Sequence, residues 1–336
     1  MPIDREQWLA QVKEDALEPA LPLIDTHHHL WDRPGRRYLP DEFRADLAGG
    51  HNFTATVYIE VETAYRKDGP GHLRPAGETE YVAGVAEDHA RRFPDGTLLA
   101  AAIVPYADLS LGAAVEEVLD AHLAVARGRL RGIRGRFRLD ANAGAYPSEF
   151  TQLELDDPKG REAARLLGRR GLSLDVFVMH PQLDALGEFA AAAPDTVMVC
   201  NHTGGPLGVG AYAGRRGEVF QEWKAALTRL ARHPNLVLKL GGMGMPLTGL
   251  GWHRLPAPPT SAEMAEATRD WFRSAIDIFG PARCMFESNF PVDRLACSYT
   301  VLWNSFKRVT RDIAPGERDA VLRGTAARVY QIEGPA

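Results

Sequence analysis

Three histidines, His27, His28 and His29, stand together in LIDTHHHLWD, residues 23–32. The apolar run before them has the length of a strand, and side chains on a strand alternate between its faces. His27 and His29 therefore share one face, where two imidazoles can grip one metal ion, while His28 turns away. Alternation also puts Asp25 on their face, one layer down, in reach of a ring nitrogen whose tautomer it would fix. His180 in DVFVMHPQL and His202 in TVMVCNHTGGP each close another apolar run. Gly204 and Gly205 permit a tight turn with close approach to a ligand. Asn201 and His202 are neighbours, so only one of them can point fully inward. The run LRGIRGRFR spaces Arg134, Arg136 and Arg138 at period two, with Arg131 just before. Guanidinium is the preferred clamp for carboxylate, so one or two of the four are expected to hold an anionic substrate. Tyr65 and Arg66 lie in a Gly/Pro-rich stretch of the kind that forms active-site loops, and a second such stretch carries Trp252 and His253.

These residues act together only if a scaffold converges them. Eight short apolar runs bounded by turn signals are strand candidates: 21–27, 54–60, 98–104, 130–137, 172–178, 196–202, 236–242 and 283–289. Amphipathic stretches at 78–92, 111–126, 159–170, 182–193, 216–232, 262–279 and 298–312 read as helices. Continuous apolar strands alternating with helices indicate parallel strands buried on both faces. The expected fold is α/β, a (β/α)8 TIM barrel, whose active site sits at the C-terminal strand ends. An open doubly wound sheet fits less well, because no Gly-rich phosphate fingerprint follows the first strand. Polar residues crowd the expected strand ends: besides the histidines and arginines, Glu60, Lys239, Glu287, Asn289 and Asp293. Lys239 is a candidate for substrate contact or for pairing with Glu287. One domain is expected over 1–336, with an extension at 1–20 and the barrel at about 21–331.

Composition narrows the function classes. The 336 residues carry 39 Lys and Arg against 44 Asp and Glu, a net charge of −5. That balance gives no reason to expect a nucleic-acid or membrane-surface partner. No apolar run is long enough to cross a membrane. The acidic N-terminal stretch lacks an apolar signal core. Three scattered cysteines, Cys200, Cys284 and Cys297, read as reduced thiols of a cytoplasmic protein. The expected partner is a small-molecule substrate, with a homo-oligomer left open.

IDTHHHLWD resembles the first-strand signature of the amidohydrolase-related (amidohydrolase family 2) TIM-barrel hydrolases, in the branch with lactonases and related decarboxylases. The likeness continues through VYIEVETAYR, GIRGRF, MHPQL, NHTGGPLG, KLGGMGMP, CMFESNFPVDR and GTAARVYQI. The resemblance implies a hydrolase, opening a lactone ring in a small carboxylate-bearing substrate. It implies one divalent metal, zinc by donor type, on His27, His29 and His180, with metal-free activity as the alternative. His180 would be a ligand or would face the substrate carbonyl, and His202 would be catalytic. Many relatives carry an aspartate where this chain has Asn289, so the ligand and base expected there are missing. Asp293 is the favoured replacement base, with Glu287 the other carboxylate within reach. A decarboxylase of an aromatic or enol acid on the same scaffold and a non-catalytic binding protein are the alternatives.

Overall fold

The structure, a computed structural model, describes residues 4–144 and 152–333. Eight parallel strands form the centre: β1 (Pro22–His28), β2 (Asn52–Ile59), β3 (Leu98–Val104), β4 (Gly132–Gly135), β5 (Ser173–Val176), β6 (Met198–Cys200), β7 (Leu236–Leu240) and β8 (Cys284–Phe286). Continuous parallel ladders join β1 to β3 and β4 to β8. Backbone hydrogen bonds cross both remaining seams. Arg134 N donates to Pro105 O at 2.8 Å between β3 and β4, and Asn289 N donates to His27 O at 2.8 Å between β8 and β1. The molecule is the (β/α)8 barrel expected from its alternating runs.

Period-two alternation separates two apolar layers. Ile24, Val57, Ile59, Ala102, Val104, Val199, Val237 and Met285 fill the barrel interior, closed by Tyr330 near the chain's end. Leu23, Tyr58, Ile133, Leu174, Leu236, Leu238 and Leu240 face outward and pack beneath the helices. The helix over residues 261–279 shows how local sequence sets those elements. Thr260 and Glu263 cap its start reciprocally, and Gly280, at φ 78°, ends it. All eight expected strands are present, most of them shorter than their apolar runs. A hairpin absent from the sequence-based reading pairs Trp31–Arg33 with Arg36–Tyr38 just after β1. No helix among the described residues is long and apolar enough to cross a membrane.

Candidate active site

β1 does not alternate strictly. Its register against β2 shifts between Asp25 and His28, and that shift decides where the polar residues go. His28 turns outward, stacking on Phe43 with centroids 4.1 Å apart and meeting Thr56 Oγ1 at 3.0 Å. Burial pushes its pKa down to about 3, so it is neutral. His27 and His29 turn inward as expected. Asp25 does not join them. It accepts Ser288 Oγ at 2.6 Å and Tyr299 OH at 2.9 Å, on the outer side of the sheet. Its one link to His27 is through that residue's backbone N–H, at 3.2 Å. The expectation that Asp25 sets a histidine tautomer is corrected by the register shift.

Glu287, just past the end of β8, sets the tautomer of His202 instead and faces His27. Its Oε1 accepts His202 Nδ1 at 2.7 Å and His202 N at 2.8 Å, while Oε2 lies 2.9 Å from His27 Nδ1. Burial works against the Glu287 charge, but His202 and Lys239 outweigh it and hold the carboxyl below its ordinary range. His202 stands in a left-handed run, with φ 56° at His202, 56° at Thr203, 69° at Gly204 and 60° at Gly205. Gly205 is required there, since a Cβ would fall 2.1 Å from Val178 O. Gly242 clears space on the other side, where a Cβ would lie 2.6 Å from that of His202. With Nδ1–H given to Glu287, His202 keeps a bare Nε2.

The proton count around His27 is one short. His29 Nδ1 donates to Ile59 O at 2.8 Å, so its Nε2 carries a lone pair, and His27 Nε2 lies 3.2 Å from it. His27 thus has an acceptor at each ring nitrogen, and a neutral imidazole has one N–H. Burial holds both rings well below the ordinary histidine range, with Lys239 adding to the effect at His27 and Arg134 at His29, so imidazolium does not supply the second proton. The His27 Nδ1–Glu287 Oε2 contact is also off-axis, leaving both buried atoms without a hydrogen bond among the described residues. A divalent cation resolves the conflict. Two nitrogens on one tetrahedral zinc, each about 2.0–2.1 Å from it, stand about 3.3 Å apart, close to the spacing of the two Nε2 atoms. His27, His202 and Glu287 also bring one ligand atom each within 4.8 Å of one another. The residues fit a metal.

His29 and His202 open onto a cavity of about 300 Å³ at the C-terminal mouth. Phe177, Met245, Leu247 and Val292 give it apolar walls. Arg134 and Arg136 line it, facing Glu60 and Glu62 at the end of β2. Arg131 and Arg138 run out to the surface, where Arg138 pairs with Glu154. Arg33 and Arg36 of the hairpin also line the cavity. Sequence reasoning missed them. The available signal was two arginines around a Pro-Gly turn immediately after a strand that ends in histidines.

Other candidates lie elsewhere. β5 ends at Val176, four residues before His180, so alternation no longer steers that ring. His180 Nδ1 accepts Leu207 N at 3.2 Å, Nε2 stands 3.7 Å from Glu222, and the ring packs edge-on against Tyr212. It is outside the cavity lining and outside the histidine group. Lys239 is fully buried lower in the barrel, donating to Asp175 at 2.7 Å. Asn201 sits beside that pair, its reoriented amide 3.1 Å from Asp175. Arg66 reaches Glu80 at the surface, Tyr65 is half-buried outside the cavity lining with its hydroxyl enclosed, and Trp252 packs in the outer core. His253 contacts Arg254 on the exterior. Asn289 lines the cavity and gives its amide to Asp293 at 3.0 Å. Asp293 lies behind it, accepting Gly244 N at 3.2 Å, and burial pushes its pKa up to about 8.

The amidohydrolase family profile matches residues 24–332. A Sinorhizobium fredii protein of unassigned function is 32% identical, covering 92% of this chain and 98% of its own. A Burkholderia multivorans protein named L-fucono-1,5-lactonase is 29% identical, covering 93% and 97%. The crystal structure of a B. multivorans amidohydrolase with bound zinc superposes with a TM-score of 0.70 at 27% identity, over 93% of this chain and 100% of the other. Matched over almost its whole length, the chain belongs to the amidohydrolase family and is an enzyme, a hydrolase of that family.

Proposed function

We propose that the protein opens the lactone ring of a small, carboxylate-bearing substrate in the cavity at the barrel mouth. The observation that carries this reading is the Glu287–His202 pair, whose bare Nε2 belongs to a residue lining that cavity beside the proton-deficient His27–His29 pair. His202 acts as general base: Glu287 fixes its tautomer, Nε2 takes the proton of the attacking water, and it returns that proton to the ring oxygen as the acyl C–O bond breaks. His27 and His29 would hold one divalent cation, zinc by their donor type, which would polarise the ring carbonyl. Asn289 cannot act as a general acid or base, since an amide stays neutral, and contacts the substrate from the β8 side. Asp293 does not line the cavity, so its role is to anchor the Asn289 amide. Apolar side chains of the cavity shield the ring from bulk water, and the arginines at the mouth favour an acid. Two Burkholderia relatives named L-fucono-1,5-lactonase support the lactone reading, and the zinc in the neighbouring structure supports the metal.

The test is a lactone panel read for acid release and for CO₂ together. Acid release without CO₂ is expected. His202→Ala should lower kcat/KM by about 10²–10⁴-fold, the usual contribution of a positioned base, and chelation should also abolish most activity. Release of CO₂ from an aromatic or enol acid, with every lactone left intact, would replace this reading with a decarboxylase.

A further inference from the structure

The charged side chains at the mouth form two walls of different character. On the barrel side, two guanidinium groups meet two carboxylates. Arg136 donates Nε to Glu60 Oε1 at 3.2 Å, its terminal nitrogens go to Glu60 and Glu62, and its plane lies 4.7 Å over the Tyr106 ring. Arg134 donates to Glu60 O at 3.4 Å and stands 3.9 Å from the Glu60 carboxylate. This wall has no net charge. Drawing Arg136 onto a substrate would take from Glu60, whose side chain is 3% exposed, its hydrogen-bonded cation and leave it only Arg134 at 3.9 Å, and a buried carboxylate that loses its close cation is costly.

The hairpin wall is cationic. Among the described residues Arg33 has neutral partners only, Val61 O at 2.9 Å and the Trp31 ring at 4.6 Å. Arg36 pairs with Arg33 through the hairpin backbone and lines the cavity, and its guanidinium has no ion pair or hydrogen bond among the described residues. The hairpin is tied to the reaction centre, because Trp31 stacks on His29 at 17° with centroids 6.0 Å apart. Two guanidinium groups without a carboxylate partner among the described residues, on a hairpin stacked against His29, are where an anion gains most.

We propose that Arg36, with Arg33 beside it, is the substrate-anion subsite, so that the hairpin after β1 reads the substrate's carboxylate and the β4 arginines do not. The proposal rests on the reading above only in requiring an acidic substrate. Because the pair sits at the solvated rim, binding there weakens with salt.

The experiment pairs a carboxylate-bearing lactone with its carboxamide analogue and adds calorimetric titration of an inert acid, tetrahydropyran-2-carboxylate, to the metal-loaded protein. Arg36→Gln should lower the acid-over-amide ratio of kcat/KM roughly ten-fold and weaken binding of the inert acid to match, as expected for one charge-assisted hydrogen bond. Arg33→Gln should act in the same direction. An unchanged ratio in both variants, or a collapse confined to Arg134→Gln or Arg136→Gln, overturns the proposal. If wild type opens no lactone, the hydrolytic reading fails and the titration decides alone. Weaker binding to Arg36→Gln than to wild type then upholds the subsite, and equal binding removes it.

Discussion

Two buried polar clusters sit one above the other inside the barrel, and they are built on opposite terms. In the lower one, Asp175 accepts Lys239 at 2.7 Å and Tyr330 at 3.0 Å, and a reoriented Asn201 amide reaches it at 3.1 Å. A cation faces an anion, and both carboxylate oxygens have donors. In the upper one, Glu287, His27, His29 and His202 bring more acceptors together than there are protons to share. Burial is nearly complete in both, so burial does not distinguish them. The balance of donors and acceptors does: a balanced cluster can seal a barrel, whereas one lacking a cation marks where a ligand completes the structure.

The largest expected effect tests the balanced cluster. Lys239→Met leaves Asp175 buried without its cation and should cost about 3–5 kcal/mol of stability. The double variant with Asp175→Leu should recover part of that loss, since replacing both partners removes the uncompensated charge. Denaturant midpoints measure both. A single variant as stable as wild type would show that the lower pair contributes nothing and would collapse the contrast.

Next in size is Glu287→Gln. The amide still offers an oxygen to His202, but its nitrogen turns a donor toward His27 and cannot serve both rings as the carboxylate does. Metal-loaded kcat/KM should fall about 10²–10³-fold, combining lost orientation of a metal-holding histidine with a misdirected base. Zinc content measured by elemental analysis should fall too, with the melting temperature little changed. Wild-type zinc content together with wild-type turnover would mean the upper cluster is as self-sufficient as the lower.

The sequence carried the barrel plainly, because parallel strands buried on both faces must be apolar almost throughout. VYIE, LLAAAIV and LVLKL left little other choice. It also carried the inward pointing of His27 and His29. Three things it could not carry are long-range. A one-residue register shift in β1 sent Asp25 to Ser288 and Tyr299, and alternation assumes no such shift. The partner of Lys239 lies 64 residues away on β5, where Asp175 looks like any other strand residue. Glu287 binds a histidine 85 residues distant. Its inward direction was readable, but its choice between Lys239 and His202 was not. The place of His180 was not readable either: Pro181 follows it directly and suggests a strand end, although the strand has already stopped at Val176.

Asp293 sharpens the comparison through its smaller effect. It is another buried carboxyl, with two neutral donors, Gly244 N and the Asn289 amide, and no cation paired with it among the described residues. Such a group answers burial by keeping its proton, and its pKa is pushed up to about 8 from an ordinary 3.8. Between those values the native state holds a proton that the unfolded chain has released. The stabilisation is therefore complete below about pH 4 and is lost as pH rises toward 8, with a slope of at most about 1.4 kcal/mol per pH unit. Asp293→Asn removes this titration, so urea midpoints followed from pH 5.5 to 8.5 should fall less steeply than in wild type. Asp25, raised to about 6 by burial, titrates in both proteins and cancels in the difference. Parallel curves would mean that Asp293 is ionised in the fold and needs a positive partner after all. The same variant separates the two candidate bases: near wild-type kcat leaves the proton transfer with His202, while a loss as deep as that of His202→Ala would move it to Asp293.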